Sequence, residues 1–252
     1  MCKTALVTGA GSGIGRGIAL ALARAGYDTA VHYCGSLSGA EETKRQIEAM
    51  GRKSAIYHAD LNHVDEIQKM FSDFEEDFGN LDAFVNNAGI TLKSPFLETD
   101  EETFDKVCNV DFRGAFFAMQ RAARLMVRRG THGSMVLIAS NNAYAHFADV
   151  SVYGSVKAAA VKMAEHIAIE LACRHIRVNT VAPGWTDTGA ARLDAKEETY
   201  YKIPLKKWAT VEEVAQSVVW LCSDAAASVT GATLVMDNGA LLLSDTGSRY
   251  GL

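Results

Sequence analysis

A tyrosine and a lysine lie four residues apart in Tyr153-Gly154-Ser155-Val156-Lys157. From Val150 onward the residues read as one long helix, carried by Ala158-Ala159-Ala160, Met163, Ile167 and Leu171. On a helix, positions i and i+4 share a face one turn apart. A phenol, with an ordinary pKa of about 10, is a poor proton donor or acceptor at neutral pH. An ammonium beside it stabilises the phenolate and brings proton transfer towards the working range. Ser140 follows the apolar run Met135-Val136-Leu137-Ile138, which reads as a strand, so its hydroxyl emerges at a strand's carboxyl end. There it can hydrogen-bond a substrate oxygen while Tyr153 moves the proton. A Tyr-x-x-x-Lys pair alone is as readily surface decoration, so the rest of the chain has to decide.

A second chemical stretch opens the chain. The strand-like Ala5-Leu6-Val7 runs into Thr8-Gly9-Ala10-Gly11-Ser12-Gly13-Ile14-Gly15, and then into the helical Ile18-Ala19-Leu20-Ala21-Leu22-Ala23. Glycines let a diphosphate come close to the backbone, and the helix start offers unpaired N–H groups and a positive dipole end. Arg16 stands where a strict G-x-G-x-x-G would need its last glycine, so the spacing is Thr-Gly-x-x-x-Gly-x-Gly. In this strand–turn–helix context the turn predicts dinucleotide binding through Gly9, Ser12, Gly13, Ile14 and Gly15.

The elements that must hold these groups alternate along the chain. Strands are expected near Ala5–Thr8, Thr29–Tyr33, Ser54–His58, Ala83–Val85, Met135–Ile138, Arg177–Val181 and Thr233–Met236. Amphipathic stretches lie between them near Ile14–Ala25, Ala40–Met50, Val64–Phe78, Glu101–Arg128, Val150–Cys173 and Val211–Cys222. That cadence predicts an α/β fold, a doubly wound parallel sheet of about seven strands with helices on both faces. Pro95, Pro183 and Pro204 all fall in expected loops, and the 252 residues read as one domain. At 48% apolar and 22% charged, with a net charge of −5, the chain can build a core and carries no basic tract for nucleic acid. Cys2, Cys34, Cys108, Cys173 and Cys222 are scattered, without metal-ligand spacing. They read as reduced thiols of a cytoplasmic protein with no metal site. No apolar run is long enough to span a bilayer and no cleavable leader is visible.

Taken together, Thr8-Gly9-x-x-x-Gly13-x-Gly15, Asn86-Asn87-Ala88-Gly89, Ser140, Tyr153-x-x-x-Lys157 and Pro183-Gly184 follow the order and spacing of the short-chain dehydrogenases/reductases, which the whole chain resembles. The resemblance implies a Rossmann-like sheet, a nicotinamide cofactor and hydride transfer to or from a carbonyl or alcohol carbon. It also implies a homotetramer or homodimer packed through the long helices and the carboxyl-terminal strand. Residue by residue, it makes Ser140 the group that orients the substrate oxygen and Tyr153 the general acid or base. Lys157 becomes the holder of the ribose hydroxyls. Asp60 and Leu61 would meet the adenine, Asn87, Ala88 and Gly89 the adenosine ribose. Pro183, Gly184, Thr186 and Thr188 would lie along the nicotinamide and phosphate.

The cofactor's identity turns on the end of the second strand, where NAD enzymes of this architecture place a carboxylate. That position is Tyr33, followed by Cys34. No acid is there to repel a 2′-phosphate, so NADP is favoured over NAD, with Arg16, Ser36 and Ser38 as possible phosphate partners. A departure from the family lies at Asp111, in Asn109-Val110-Asp111-Phe112-Arg113-Gly114. Relatives carry an asparagine here that holds a water against the lysine. Asn109 cannot stand in, because two residues along a helix turn the side chain by about 200°. Asp111 is therefore expected either to join a modified relay, to pair with Lys157, or to be a buried helix residue with no catalytic part.

The residues after Ser140 and Pro183 would line the substrate pocket: Asn141, Asn142, His146 and Trp185, with Tyr144, Phe147, Asp149, Asp187 and Arg192 nearby. Buried amides and imidazoles want partners, which favours a small hydroxylated substrate such as a sugar, sugar acid or polyol. Residues 184–208, rich in aromatics, read as a lid. A 3-oxoacyl carrier-protein reductase, with Arg128, Arg129 and Arg174 facing an acidic carrier, is the alternative. A catalytically silent nucleotide sensor would rest on Asp111 alone.

Overall fold

The computed structural model describes residues 2–189 and 199–242. The first strand, β1 (Thr4–Val7), turns through glycines into α1 (Gly13–Arg24), then β2 (Asp28–Tyr33), α2 (Leu37–Ala49), β3 (Ile56–His58), α3 (Val64–Phe78) and β4 (Ala83–Asn86). The chain continues through α4 (Glu101–Cys108), a π-helical segment (Asn109–Gly114) and α5 (Ala115–Arg129). Next come β5 (Ser134–Ile138), α6 (Ser151–Ala172), β6 (Arg177–Pro183), the short β7 (Thr186–Asp187) and β8 (Ala209–Thr210), α7 (Val211–Cys222) and β9 (Thr233–Met236).

A seven-stranded sheet runs in the order β3-β2-β1-β4-β5-β6-β9, every neighbour parallel. The sequence predicts these seven strands within two residues at each end. The strands read as apolar because both faces are covered: β1, β4 and β5 are buried throughout. Alternate residues serve opposite faces. Leu6, Phe84, Met135, Leu137 and Val178 pack with α3, α5 and α6. Val7, Val31, Val85, Val136 and Val181 pack with α1, α2 and α7. The strand order reverses between β1 and β4, and in such a sheet the crevice beyond the carboxyl ends at that point is where ligands bind.

Two expectations are corrected. Helix Glu101–Arg128 is not continuous, because α4 and α5 are separated by the π-helical turn. Gly114 there passes so close to Leu61 that a Cβ would lie 2.6 Å from its carbonyl oxygen. Pro183 ends β6 instead of lying in a loop. The proposed lid is closed at its base by the β7–β8 pairing, Thr186 against Ala209 and Asp187 against Thr210, while Arg192 and the centre of that segment fall outside the described residues. Among the described residues no helix is long and apolar enough to cross a membrane.

Candidate active site

The glycine turn fills the crevice beside β1. Gly9 and Gly13 have φ of 63° and 52°, which side chains resist, and a Cβ at Gly15 would collide with the Gly9 carbonyl. Ser12 caps α1 with no side-chain bond to the helix, so the N–H groups of its first turn are open to an anion. Thr188, far away in sequence, stands over this turn: a Cβ on Gly13 would lie 3.5 Å from Thr188 Cγ2.

The turn is held by residues whose part in it the sequence did not disclose. His32 is buried, its Nδ1 accepting the Gly9 N–H at 3.0 Å and its Nε2–H donating to the Ala59 carbonyl at 2.9 Å. Burial holds this imidazole down to about 4, well below its ordinary value. Thr8 Oγ1 accepts the backbone N–H groups of Asn87 and Ala88, both at 2.9 Å, and Asn87 Nδ2 donates to the Thr8 and Gly9 carbonyls. Asn87 therefore ties β4 to the turn through its amide nitrogen. Arg16 is committed as well, donating to the carbonyls of Gly11 and Gly39 and to Thr43 Oγ1. A buried histidine inside the apolar β2 was the one signal that could have exposed the His32 contact.

At the ends of β2 and β3, Tyr33 packs edge-on against His58 with ring centres 5.3 Å apart. Cys34, Ser36 and Ser38 are exposed beside it, and Ser36 caps α2 by accepting the Gly39 N–H. Burial, then Asp60 and Glu66, raise the Cys34 thiol. Asp60 turns inward on the chain, accepting from the backbone and side-chain nitrogens of Asn62. Leu61 is in the core and can face a ligand only through its backbone.

Across the crevice, Ser140 leaves β5 and its Oγ accepts from the backbone N–H and side chain of Asn142, at 3.2 and 3.3 Å. Its own proton is then free for a substrate oxygen. From α6, Lys157 Nζ lies 5.5 Å from the centre of the Tyr153 ring and 3.4 Å from the Ile138 carbonyl. Asp111 reaches the same ammonium, with Oδ2 3.0 Å away, both side chains almost completely buried. Its Oδ1 accepts the Ile90 N–H at 2.7 Å. Gly89 lies against the pair; a Cβ there would be 2.8 Å from Asp111 Oδ2 and 3.2 Å from Lys157 Nζ.

Asn141, His146 and Trp185 line a hollow of about 270 Å³, with Tyr201 and Lys202 at its edge. Phe147 braces Trp185 edge-on at 5.4 Å. Asn142 lies in an adjoining hollow against Ser151 and Gly154. The Asn141 amide nitrogen and Asn142 Oδ1 are buried without partners. Gly184 sits on Asp237, and Thr186 Oγ1 donates to its carbonyl. Thus the residues expected at the site lie around the carboxyl edge of the sheet, with Leu61 in the core and Asn87 Nδ2 and Asp60 Oδ1 bonded within the chain.

A glycine turn after β1, with Ser140 after β5 and Tyr153 and Lys157 on α6 at the same edge of a parallel sheet, has known counterparts. A family model described as enoyl-(acyl carrier protein) reductase matches residues 9–240. The 3-oxoacyl-acyl-carrier-protein reductase of Staphylococcus aureus is 37% identical over 95% of this chain and 98% of its own. An L-rhamnose 1-dehydrogenase (NAD(P)(+)) of a Sphingomonas species is 35% identical over 94% of this chain and 95% of its own. The crystal structure of acetoin dehydrogenase from Enterobacter cloacae superposes with a TM-score of 0.90 at 35% identity, covering 99% of both chains. The chain belongs to the short-chain dehydrogenase/reductase family of oxidoreductases.

Proposed function

We propose that this enzyme moves a hydride between NADP(H) and the carbonyl or secondary-alcohol carbon of a small polar substrate. The observation that supports the reading is Lys157 Nζ over the Tyr153 ring on α6, with Ser140 leaving β5 and the open glycine turn leaving β1 at the same edge of the sheet. The residues fit a dinucleotide: open N–H groups at α1 would take the diphosphate, with Thr188 above it, and a Cβ at Gly15 would close the cradle. When bound, the nicotinamide supplies or accepts the hydride. Ser140 donates to the substrate oxygen. Tyr153 gives that oxygen a proton in reduction and takes it back in oxidation, and the Lys157 ammonium stabilises the phenolate left behind. Exposed Ser36 and Ser38 at the start of α2, with no acid at Tyr33 or Cys34, support NADP over NAD.

The hollow of about 270 Å³, with the buried Asn141 amide on it and Asn142 in the adjoining hollow, suits a substrate of a few carbons bearing several oxygens, a sugar, sugar acid, polyol or hydroxyketone. The similarity to an acetoin dehydrogenase and a rhamnose dehydrogenase supports this class. The 37% identity to a 3-oxoacyl carrier-protein reductase supports the second reading, reduction of an acyl thioester. Exposed Phe116 and Ile169 on α5 and α6, and Leu234 and Val235 on the edge strand β9, support self-association into a dimer or tetramer.

Turnover is to be measured with NADP(H) and NAD(H) on acetoin, sugars, polyols and acetoacetyl thioesters. The reading predicts turnover of a hydroxyketone, sugar or polyol with higher kcat/KM for the phosphorylated cofactor. An NADH preference of about tenfold or more would overturn the cofactor assignment, and turnover confined to the thioester would select the second reading.

A further inference from the structure

We infer that Asp111 is a positioning residue that neutralises the site lysine in place, so that proton transfer by Tyr153 runs at a higher pH than Lys157 alone would set. The inference rests on the oxidoreductase reading above and concerns how that site is charged. Three elements converge on one carboxylate. The π-helical turn carries Asp111, the loop after β4 donates the Ile90 N–H to Oδ1, and α6 brings the Lys157 ammonium to Oδ2. The pair is shielded from water, with Lys157 at 7% and Asp111 at 0% side-chain exposure, so salt and solvent screen it little. Oδ2 has the ammonium as its charge partner but no aligned hydrogen bond. The contact is therefore governed by charge, and charge reaches Tyr153 as well.

The electrostatic consequence has a definite sign. An ammonium near a phenol favours the phenolate, and a carboxylate on that ammonium opposes the effect while holding the ammonium charged. Cys108, at the end of α4, also lies near Asp111, and its thiol is raised by burial, then by Asp105 and Asp111. It stays neutral through the working range and adds no charge. Removing the negative charge at 111 thus moves both limbs of the alcohol-oxidation profile to lower pH.

The test is the pH profile of kcat for Asp111→Asn, Asp111→Glu and Gly89→Ala beside the unaltered enzyme, at saturating cofactor and a substrate it turns over. Asp111→Asn is expected to shift both limbs down by about half a unit or more, with cofactor affinity, read by fluorescence titration, within about threefold. Asp111→Glu keeps the charge and is expected to leave the limbs near their original places. Gly89→Ala wedges a methyl between carboxylate and ammonium and is expected to lower kcat about tenfold while shifting the limbs as Asp111→Asn does. It carries the test if the Asp111→Asn chain does not fold. Superimposable profiles for the unaltered enzyme and these variants would overturn the inference. Absence of turnover in the unaltered enzyme would instead overturn the oxidoreductase reading.

Discussion

His32 illustrates what a single side chain contributes to the site. Both imidazole nitrogens are committed, one accepting from Gly9 and one donating to Ala59, which fixes the neutral tautomer. A second proton would set two N–H groups against each other at the first glycine of the turn. Because its folded value is about 4 against 6.5 for the free group, the unfolded chain binds a proton in that window that the folded chain refuses. Stability from this residue is therefore complete above 6.5 and is lost as pH falls towards 4, by about 3 kcal/mol in all. Urea midpoints of the unaltered protein and His32→Asn at about pH 7 and about pH 4.5 check it. The gap between them is expected to narrow at the lower pH, and an unchanged gap would contradict it. The proximity of Tyr153 to Lys157 and the turn made by the glycines were legible at this scale because both follow from sequence spacing. The contact to Gly9 was not, because it is made between segments 23 residues apart.

Among the elements, the close approach of α1 to α7 is a glycine's doing. A Cβ on Gly17 would collide with Cγ1 of Val211, the first residue of α7. Alanine has the better helix propensity, worth about 1 kcal/mol. The overpacking it would create costs about 1–3 kcal/mol and wins, since a β-branched valine has little freedom to turn aside. Gly17→Ala is expected to lower the melting temperature by several degrees, and adding Val211→Ala to recover most of the loss. A Gly17→Ala chain melting at or above the unaltered one would contradict this. The helices were mostly readable from their apolar period and from turn residues such as Gly79 and Gly130, which end α3 and α5 with positive φ. The π-helical turn was not. Its sequence keeps the same apolar cadence as α4 and α5, and the close packing of Gly114 on Leu61 within it is a contact no local pattern encodes.

At the scale of the molecule, the parallel sheet brings the carboxyl ends of β1, β4, β5 and β6 to one edge, and everything chemical is there. The alternation of apolar runs made that architecture legible, and the motif order made the family legible. The substrate was less so. The candidate hollow is formed by four parts of the chain, around Asn141, Trp185, Tyr201 and Leu241, and loop conformation is set by tertiary contacts more than by local pattern. What unites these scales is the proposed passage of a proton at Tyr153 beside a dinucleotide. The most direct measurement is turnover by Tyr153→Phe at saturating cofactor, with folding and cofactor affinity confirmed by melting and fluorescence titration. A loss in kcat of about 10²–10⁴ with cofactor affinity retained is the expected result, and undiminished kcat would contradict the account.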